Sequence, residues 1–340
     1  MSGVAPAEEV VSAPAWTSGR ATLALALGGL LLLCLPLVLG SYLLSIATLI
    51  LYLAFVGQAW NVMMGFAGQL SLGHALYVGI GAYVSGGLFF HYGLSPWLGM
   101  WVAIAAAVAV GVGIGALAFR FGISGVYFAL LTIAAGEFTR VAFDHWDWVG
   151  GPAGLFLKVA QRDQVDLRDF RGPPSMYYYA ALVLAVLGFV VCRALLRSRA
   201  GFFWQAIRED ERAAQSLGIN SFRWKLYAIA VSAAMTGLGG VFWAFYTNSL
   251  FPEQTFNMGR SLEIMLAPII GGIGTLGGPI VGALVLSVLG EGSTEALGAL
   301  GLEMPGMKQV IYGFLLLLTV LFLPQGIWPA LRRDVDHGSR

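Results

Sequence analysis

WLGMWVAIAAAVAVGVGIGALAF, residues 97–119, carries no charge, amide or hydroxyl on any of its side chains. An α-helix rises about 1.5 Å per residue and a bilayer's hydrocarbon core is about 30 Å thick, so about 20 such residues span it. An all-round apolar helix of this length has no soluble use except deep burial. Working outward, further runs of the same kind occupy residues 21–40, 42–62, 74–92, 124–142, 177–197, 226–247 and 308–328. None shows the period-2 alternation of a membrane barrel. Residues 262–298 are equally apolar but are interrupted by Gly271, Gly272, Gly274, Gly277, Gly278 and Pro279. That stretch predicts either two short helices around an irregular bend or one kinked span. With two, the expected fold is an all-α polytopic transmembrane bundle of about ten spans with glycine-broken segments.

Composition agrees. Of 340 residues 58% are hydrophobic and 11% are charged, against roughly 25% charged in a soluble domain, which leaves too little polar surface to coat a water-soluble globule. The net charge of +1 says nothing of partners, because its components lie in separate loops. Cys34 and Cys192 are far apart, without CxxC or metal-ligand spacing, and read as structural thiols. Residues 1–20 carry Glu8, Glu9 and Pro14 with no basic cluster before an apolar core, so they read as a polar tail rather than a cleaved leader.

Basic residues orient the bundle. The loop between Arg193 and Lys225 also holds Arg197, Arg199, Arg208, Arg212 and Arg223, and the 330–340 tail adds Arg332, Arg333 and Arg340. The positive-inside rule places both in the cytoplasm. Counting back six spans puts Arg20 and Arg120 on the same side, and parity puts the loop 143–175 outside. That loop dissents somewhat, since it holds Lys158, Arg162, Arg168 and Arg171 beside five aspartates. A cytoplasmic C-terminus requires two crossings within 262–298. The membrane-embedded body is thus 21–329.

Nothing in the chain resembles an enzyme. No lysine follows a glycine as in a phosphate-binding P-loop, and no HExxH or GxSxG occurs. No catalytic residue, metal, cofactor or nucleic-acid partner is expected. Intramembrane charges are sparse: Glu137 and Arg140 sit at i, i+3, and Glu263, Glu291 and Glu295 lie in the glycine-broken region. Such charges mark function or interfacial ion pairs. A deep carboxylate relay, as proton- or sodium-coupled transport needs, is missing, so any energy source lies on another polypeptide.

The densest polar and glycine cluster is Gly65-Phe-Ala-Gly68-Gln69-Leu-Ser71-Leu-Gly73-His74. It fits either a transport pathway with an unwound helix or a small-residue packing seam with a hydrogen-bonded histidine. Gly272-Ile-Gly-Thr275-Leu276-Gly277 repeats its Gly, Ser/Thr, Leu, Gly at an offset of 204, and paired broken segments in two halves are a transporter pattern. Gln69, Ser71, His74 and Thr275 are the candidate pathway residues. In the basic loop 198–225, Phe203, Ile207, Ala214 and Leu217 recur at helical spacing with only Asp210 interrupting, and Gly218 is a stop signal. This predicts one amphipathic helix over 203–217, lying on anionic lipid or docking into a soluble partner. Trp146 and Trp148, ahead of Gly150-Gly-Pro-Ala-Gly154, read as interfacial anchors or as the seat of a partner.

Taken together, Gly68-Gln-Leu-Ser-Leu-Gly-His74, Gly125-Val-Tyr-Phe-Ala-Leu-Leu-Thr132, Gly150-Gly-Pro-Ala-Gly154, Ala206-Ile-Arg-Glu-Asp-Glu-Arg-Ala-Ala-Gln-Ser-Leu-Gly218 and Gly271-Gly-Ile-Gly-Thr-Leu-Gly-Gly-Pro279 resemble the permease subunits of bacterial branched-chain amino-acid ABC importers, the LivM type. The resemblance runs from about residue 45 to 329. It implies a multi-pass inner-membrane subunit in lipid, beside a second related permease, two cytoplasmic ABC ATPases and an external solute-binding protein. It implies transport of branched-chain amino acids, with urea, amides or aromatic acids as the family's other solutes and a passive channel as the alternative class. It also gives the basic loop a docking role through an EAA-x-x-x-G-like pattern. Ala213, Ala214 and Gly218 keep that pattern, but Arg212 stands where its glutamate would be and Glu211 comes one position early. The coupling candidates are Arg208, Glu209, Arg212, Ala213, Ala214 and Gly218.

Overall fold

The structure is a computed structural model that describes residues 19–157, 165–299 and 306–331. The tails holding Glu8, Glu9, Arg332, Arg333 and Arg340, and the loop residues Lys158 and Arg162, lie outside the described residues. Helices follow the apolar runs: α1 (Gly19–Val38), α2 (Ser41–Asn61), α3 (His74–Tyr92), α4 (Pro96–Arg120), α5 (Val126–Asp144), α6 (Pro174–Arg197) and α9 (Ser221–Thr247). Between α6 and α9 come two short helices, α7 (Arg199–Glu209) and α8 (Glu211–Ser216), and α9 is followed by the single turn α10 (Pro252–Thr255). The glycine-broken stretch forms α11 (Met258–Gly271) and α12 (Gly278–Ala299) around an irregular bend, as the first of the two readings expected. The last helix, α13 (Met307–Phe322), stops six residues before the expected 328, because Pro324 and Gly326 follow. Among the described residues five helices are long and apolar enough to cross a membrane by length and composition: α2 with its extension to Phe66, α4, α5, α6 and α9.

The way these helices pack identifies their solvent. On α4 the buried stripe is Gly99, Ala103, Ala107, Gly111, Gly115 and Ala118, while Leu98, Trp101, Val102 and Leu117 point outward. On α6 the buried stripe is Ala181, Ala185, Gly188 and Cys192, with Val183, Val186 and Val190 outside. Small residues inside and large apolar ones outside invert the soluble pattern. In lipid an outward leucine costs nothing and close backbone approach supplies the packing. The central pair α3 and α9 shows how close: a Cβ on Gly81 would strike the Gly237 carbonyl, and one on Gly240 the Val78 carbonyl. Around that pair α2, α4 and α11 complete a core containing Tyr52, Trp60, Tyr77, Tyr83 and Phe245. This is a multi-pass membrane protein.

Its two ends differ. At one, the C-termini of α2, α4 and α6 and the N-terminus of α9 gather with α7 and α8, joined by Arg208 to the Gly65 carbonyl and by Lys225 over the Phe119 ring at 5.2 Å. This end carries Arg120, Arg193, Arg197, Arg199, Arg208, Arg212, Arg223 and Lys225. At the opposite end the described parts of loop 143–175 cap α3, α4 and α9. Trp97 Nε1 donates to the Leu167 carbonyl (2.7 Å), His91 stacks on Trp148 at 4.7 Å, and strands β1 (Leu155–Phe156) and β2 (Ser249–Leu250) pair antiparallel. Trp146 is half exposed and stacked on Trp148. Arg140 Nε donates to Glu137 Oε2 (2.8 Å) and its Nη1 to Asp144 Oδ2 (3.1 Å), an ion-pair triad near this end. Lys308 Nζ lies 2.6 Å from Glu291 Oε1 and 4.0 Å from Glu263 Oε1. Both thiols are free, Cys34 exposed and Cys192 buried.

Candidate functional site

The end of α2 does not stop cleanly. It passes into a π-helical turn, Val62–Phe66, and then runs without helix to His74. Glycine is required in this stretch: a Cβ on Gly65 would overlap the Asn61 side chain, and Gly68 sits at φ +69°, open to glycine at no steric cost. Side chains satisfy what the lost helix leaves unpaired. Trp60 Nε1 donates to the Ser71 carbonyl (2.8 Å), the Leu72 N–H donates to Thr132 Oγ1 (3.1 Å), and Gln69 Nε2 donates to the Ala67 carbonyl (2.9 Å).

His74 is fully buried between two serines, its Nδ1 3.2 Å from Ser71 Oγ and its Nε2 2.9 Å from Ser232 Oγ. Ser232 Oγ spends its one proton on the Ala59 carbonyl (2.8 Å), so it must accept from Nε2–H. Nδ1 is then the acceptor, and Ser71 Oγ–H its donor. One neutral ring thereby ties α2, the unwound stretch and α9 together. Ser71 and Gln69 are buried too, so three of the four candidate pathway residues are satisfied internal groups.

The fourth is placed differently. Thr275 is half-buried in the bend between α11 and α12, where Gly272 (φ +128°) and Gly274 (φ +77°) turn the chain. Its Oγ1 donates to the Gly272 carbonyl (2.8 Å) and accepts from the Gly278 N–H (3.0 Å), closing the first turn of α12. It borders two clefts, of about 720 and 420 Å³. The two glycine segments related by the offset of 204 meet each other in space. Asn61 joins them: its Nδ2 donates to the Thr275 carbonyl (2.9 Å) and its Oδ1 accepts from the Gly274 N–H (2.8 Å).

The basic loop converges on the same junction. In place of one helix over 203–217 there are two. Asp210 leaves helical geometry (φ −152°, ψ 107°) and its carboxylate accepts from the N–H groups of Arg212 (2.8 Å) and Ala213 (3.0 Å), capping α8. The expected apolar face is also corrected: Ala200, Gly201, Trp204 and Ile207 are buried against the bundle, Ala214 is buried on α8, and Leu217 is 82% exposed. Breaking the helix at Asp210 changes the register, so Leu217 leaves the face that Ile207 occupies. That inward face is therefore free neither for lipid nor for a partner.

Anchoring is strong. Trp204 Nε1 donates to the Trp224 carbonyl (2.8 Å), and its ring stacks on Tyr227 at 5.6 Å. Lys225 Nζ bonds Glu211 Oε2 (2.5 Å) with its own side chain 6% exposed, and Gln215 Nε2 reaches Ser221 Oγ (2.7 Å). Gly218, at φ +85°, ends α8 as its sequence position implied. Glu209, Arg212, Ala213, Gln215 and Ser216 face outward with Leu217.

Arg208 points the other way. Its Nη1 donates to the Gly65 carbonyl in the π turn and would lie 2.9 Å from a Cβ on Gly274, its Cγ packs on Gly68, and its Nη2 pairs with Glu209 Oε1 at 3.0 Å. One side chain thus joins α7 to both broken segments. Asn61, Trp60, Thr132, Trp204 and Ser232 were not singled out in the sequence, although Asn61 is a rare amide inside an apolar run.

Sequence comparison relates most of the chain to known proteins. The family model for the branched-chain amino acid transport system / permease component matches residues 42–320. The chain is 31% identical over 311 residues to the high-affinity branched-chain amino acid transport system permease protein LivM of Escherichia coli K12, covering 85% of this chain and 70% of that protein. It is 33% identical over 130 residues to LivH of Salmonella typhimurium (38% of this chain, 40% of that one), and 27% identical over 163 residues to the nucleoside ABC transporter permease protein NupC of Lactococcus lactis (46% and 48%). No solved structure matches. With the helical span of residues 42–320 matched as a whole, the chain belongs to the branched-chain amino acid transport system / permease component family.

Proposed function

We propose that this chain is a transmembrane permease subunit of a bacterial ABC importer, crossing the inner membrane ten times with its basic end in the cytoplasm. It works beside a second related permease, two ATPase subunits and an external solute-binding protein, and contributes no covalent chemistry of its own. Branched-chain amino acids are the proposed solute, in keeping with the names of LivM and LivH; the match to a nucleoside permease keeps other small solutes in play.

The observation that carries the mechanism is the Arg208 junction. The outward rim of α7–α8, with Glu209, Arg212, Ala213 and Leu217, offers the ATPase contact. Trp204 and the Lys225–Glu211 pair bolt that unit to α9, so it moves as a body. Arg208 and Asn61 then pass the movement to the π turn of α2 and the α11–α12 bend, a contiguous network of the kind that carries coupling between sites. The test is uptake by proteoliposomes containing the complete transporter. Import should stop when ATP is exhausted while ion gradients are held. Continued uptake without ATP would overturn the importer reading in favour of a passive channel.

A further inference from the structure

At the basic end, beside the α11–α12 bend, a cleft of about 720 Å³ opens between α6, the start of α12 and the segment after α13. Its volume falls within the ~300–1,000 Å³ of small-molecule sites. Its walls are apolar, with Leu276, Ile280 and Val281 on one side and Trp328 on another, and two guanidiniums, Arg193 and Arg197, border it from α6. These arginines are spaced i, i+4 and share one helix face. Both are exposed, and among the described residues neither has a hydrogen-bonded or ion-pair partner. Lys225 and Arg208 at the same end are engaged, the first by Glu211 and the second by Glu209 and the Gly65 carbonyl.

We propose that this cleft binds one anionic phospholipid of the inner leaflet, its phosphate on Arg193 and Arg197 and an acyl chain along Leu276 and Ile280. Charge complementarity selects the occupant. Two unpaired cations above an apolar trough match a headgroup carrying negative charge over a hydrocarbon tail, and basic pockets between membrane helices at the cytoplasmic face bind such lipids. Trp328, in the cleft wall beside the two guanidiniums, is the residue type that favours a membrane–water interface. A second permease seated here would have to bury both guanidiniums, and among the described residues no carboxylate pairs with them.

The position has a consequence for transport. The cleft is bordered by Thr275, Leu276 and Gly277, the bend that Asn61 clasps, and the Trp328 ring lies against Gly277, where a Cβ would come within 2.6 Å of it. A lipid in the cleft braces the bend beside Trp328. This consequence rests on the permease reading; the binding itself does not.

The test is native mass spectrometry of the full chain released from nanodiscs of mixed phosphatidylglycerol and phosphatidylcholine. One retained phosphatidylglycerol is expected. R193Q/R197Q should lose its preference over phosphatidylcholine by about 10-fold or more, at roughly 1 kcal/mol per basic residue. R193K/R197K should keep most of it, and Ile280→Trp, which fills the trough, should reduce retention of lipid with both arginines intact. Equal preference in the glutamine variant would overturn the proposal. So would competition by inorganic phosphate as effective as by phosphatidylglycerol, or displacement of the lipid by a second permease. A failed uptake assay with intact lipid retention would count against the permease reading alone.

Discussion

The two glycine-broken segments share composition but are held in opposite ways. Residues 65–74 are fixed by side chains from three helices, with His74 satisfied at both nitrogens and Ser71 and Gln69 buried. Residues 271–278 are closed by a single side chain of their own, Thr275, are partly exposed, and depend on Asn61 and on packing against Arg208. The first is a rigid joint and the second a bend held from outside. Glycine content cannot tell these apart; the number and origin of the satisfied polar groups can.

Substitutions can break or sharpen this contrast. His74→Leu should have the largest effect on stability, about 3 kcal/mol, because two buried hydrogen bonds vanish at once. Thermal unfolding in detergent reads it, and the protein that remains folded should still couple transport to ATP. Asn61→Leu strips partners from the Gly274 N–H and the Thr275 carbonyl and should cost about 2 kcal/mol. Here uptake should fall further than stability does. If instead uptake simply tracked the unfolding midpoint in both variants, the joint and the bend would not differ. Thr275→Val removes one local pair and should cost about 1 kcal/mol, seen in the same unfolding assay. Leu217→Ser, fully on the outward rim, should leave the midpoint within about 0.5 kcal/mol of the original while weakening capture of the ATPase in a pull-down.

Much of the fold was legible because bilayer thickness sets helix length, and the apolar runs at 42–62, 74–92, 97–119 and 177–197 closely match α2, α3, α4 and α6. The meeting of the two glycine segments was only hinted at by the offset of 204, since spacing along a chain carries no distance in space. The break at Asp210 could have been read, because an Asp before Glu-Arg-Ala-Ala is an N-cap signal. It was masked by apolar residues that fit helical spacing on both sides. The inward turn of Arg208 had no signal of its own. A long cationic side chain in a basic loop is expected to face water, and the absence of Cβ atoms at Gly68 and Gly274 makes room for it.

The most direct test of the junction is the number of solute molecules imported per ATP hydrolysed by the reconstituted transporter carrying Arg208→Ala. Association with the ATPase and hydrolysis within about two-fold of the original are expected, a difference of about 0.4 kcal/mol, with import reduced by about 10-fold or more, in the range of typical coupling energies. An unchanged ratio of import to hydrolysis would contradict a role for Arg208 in linking α7 to the broken segments.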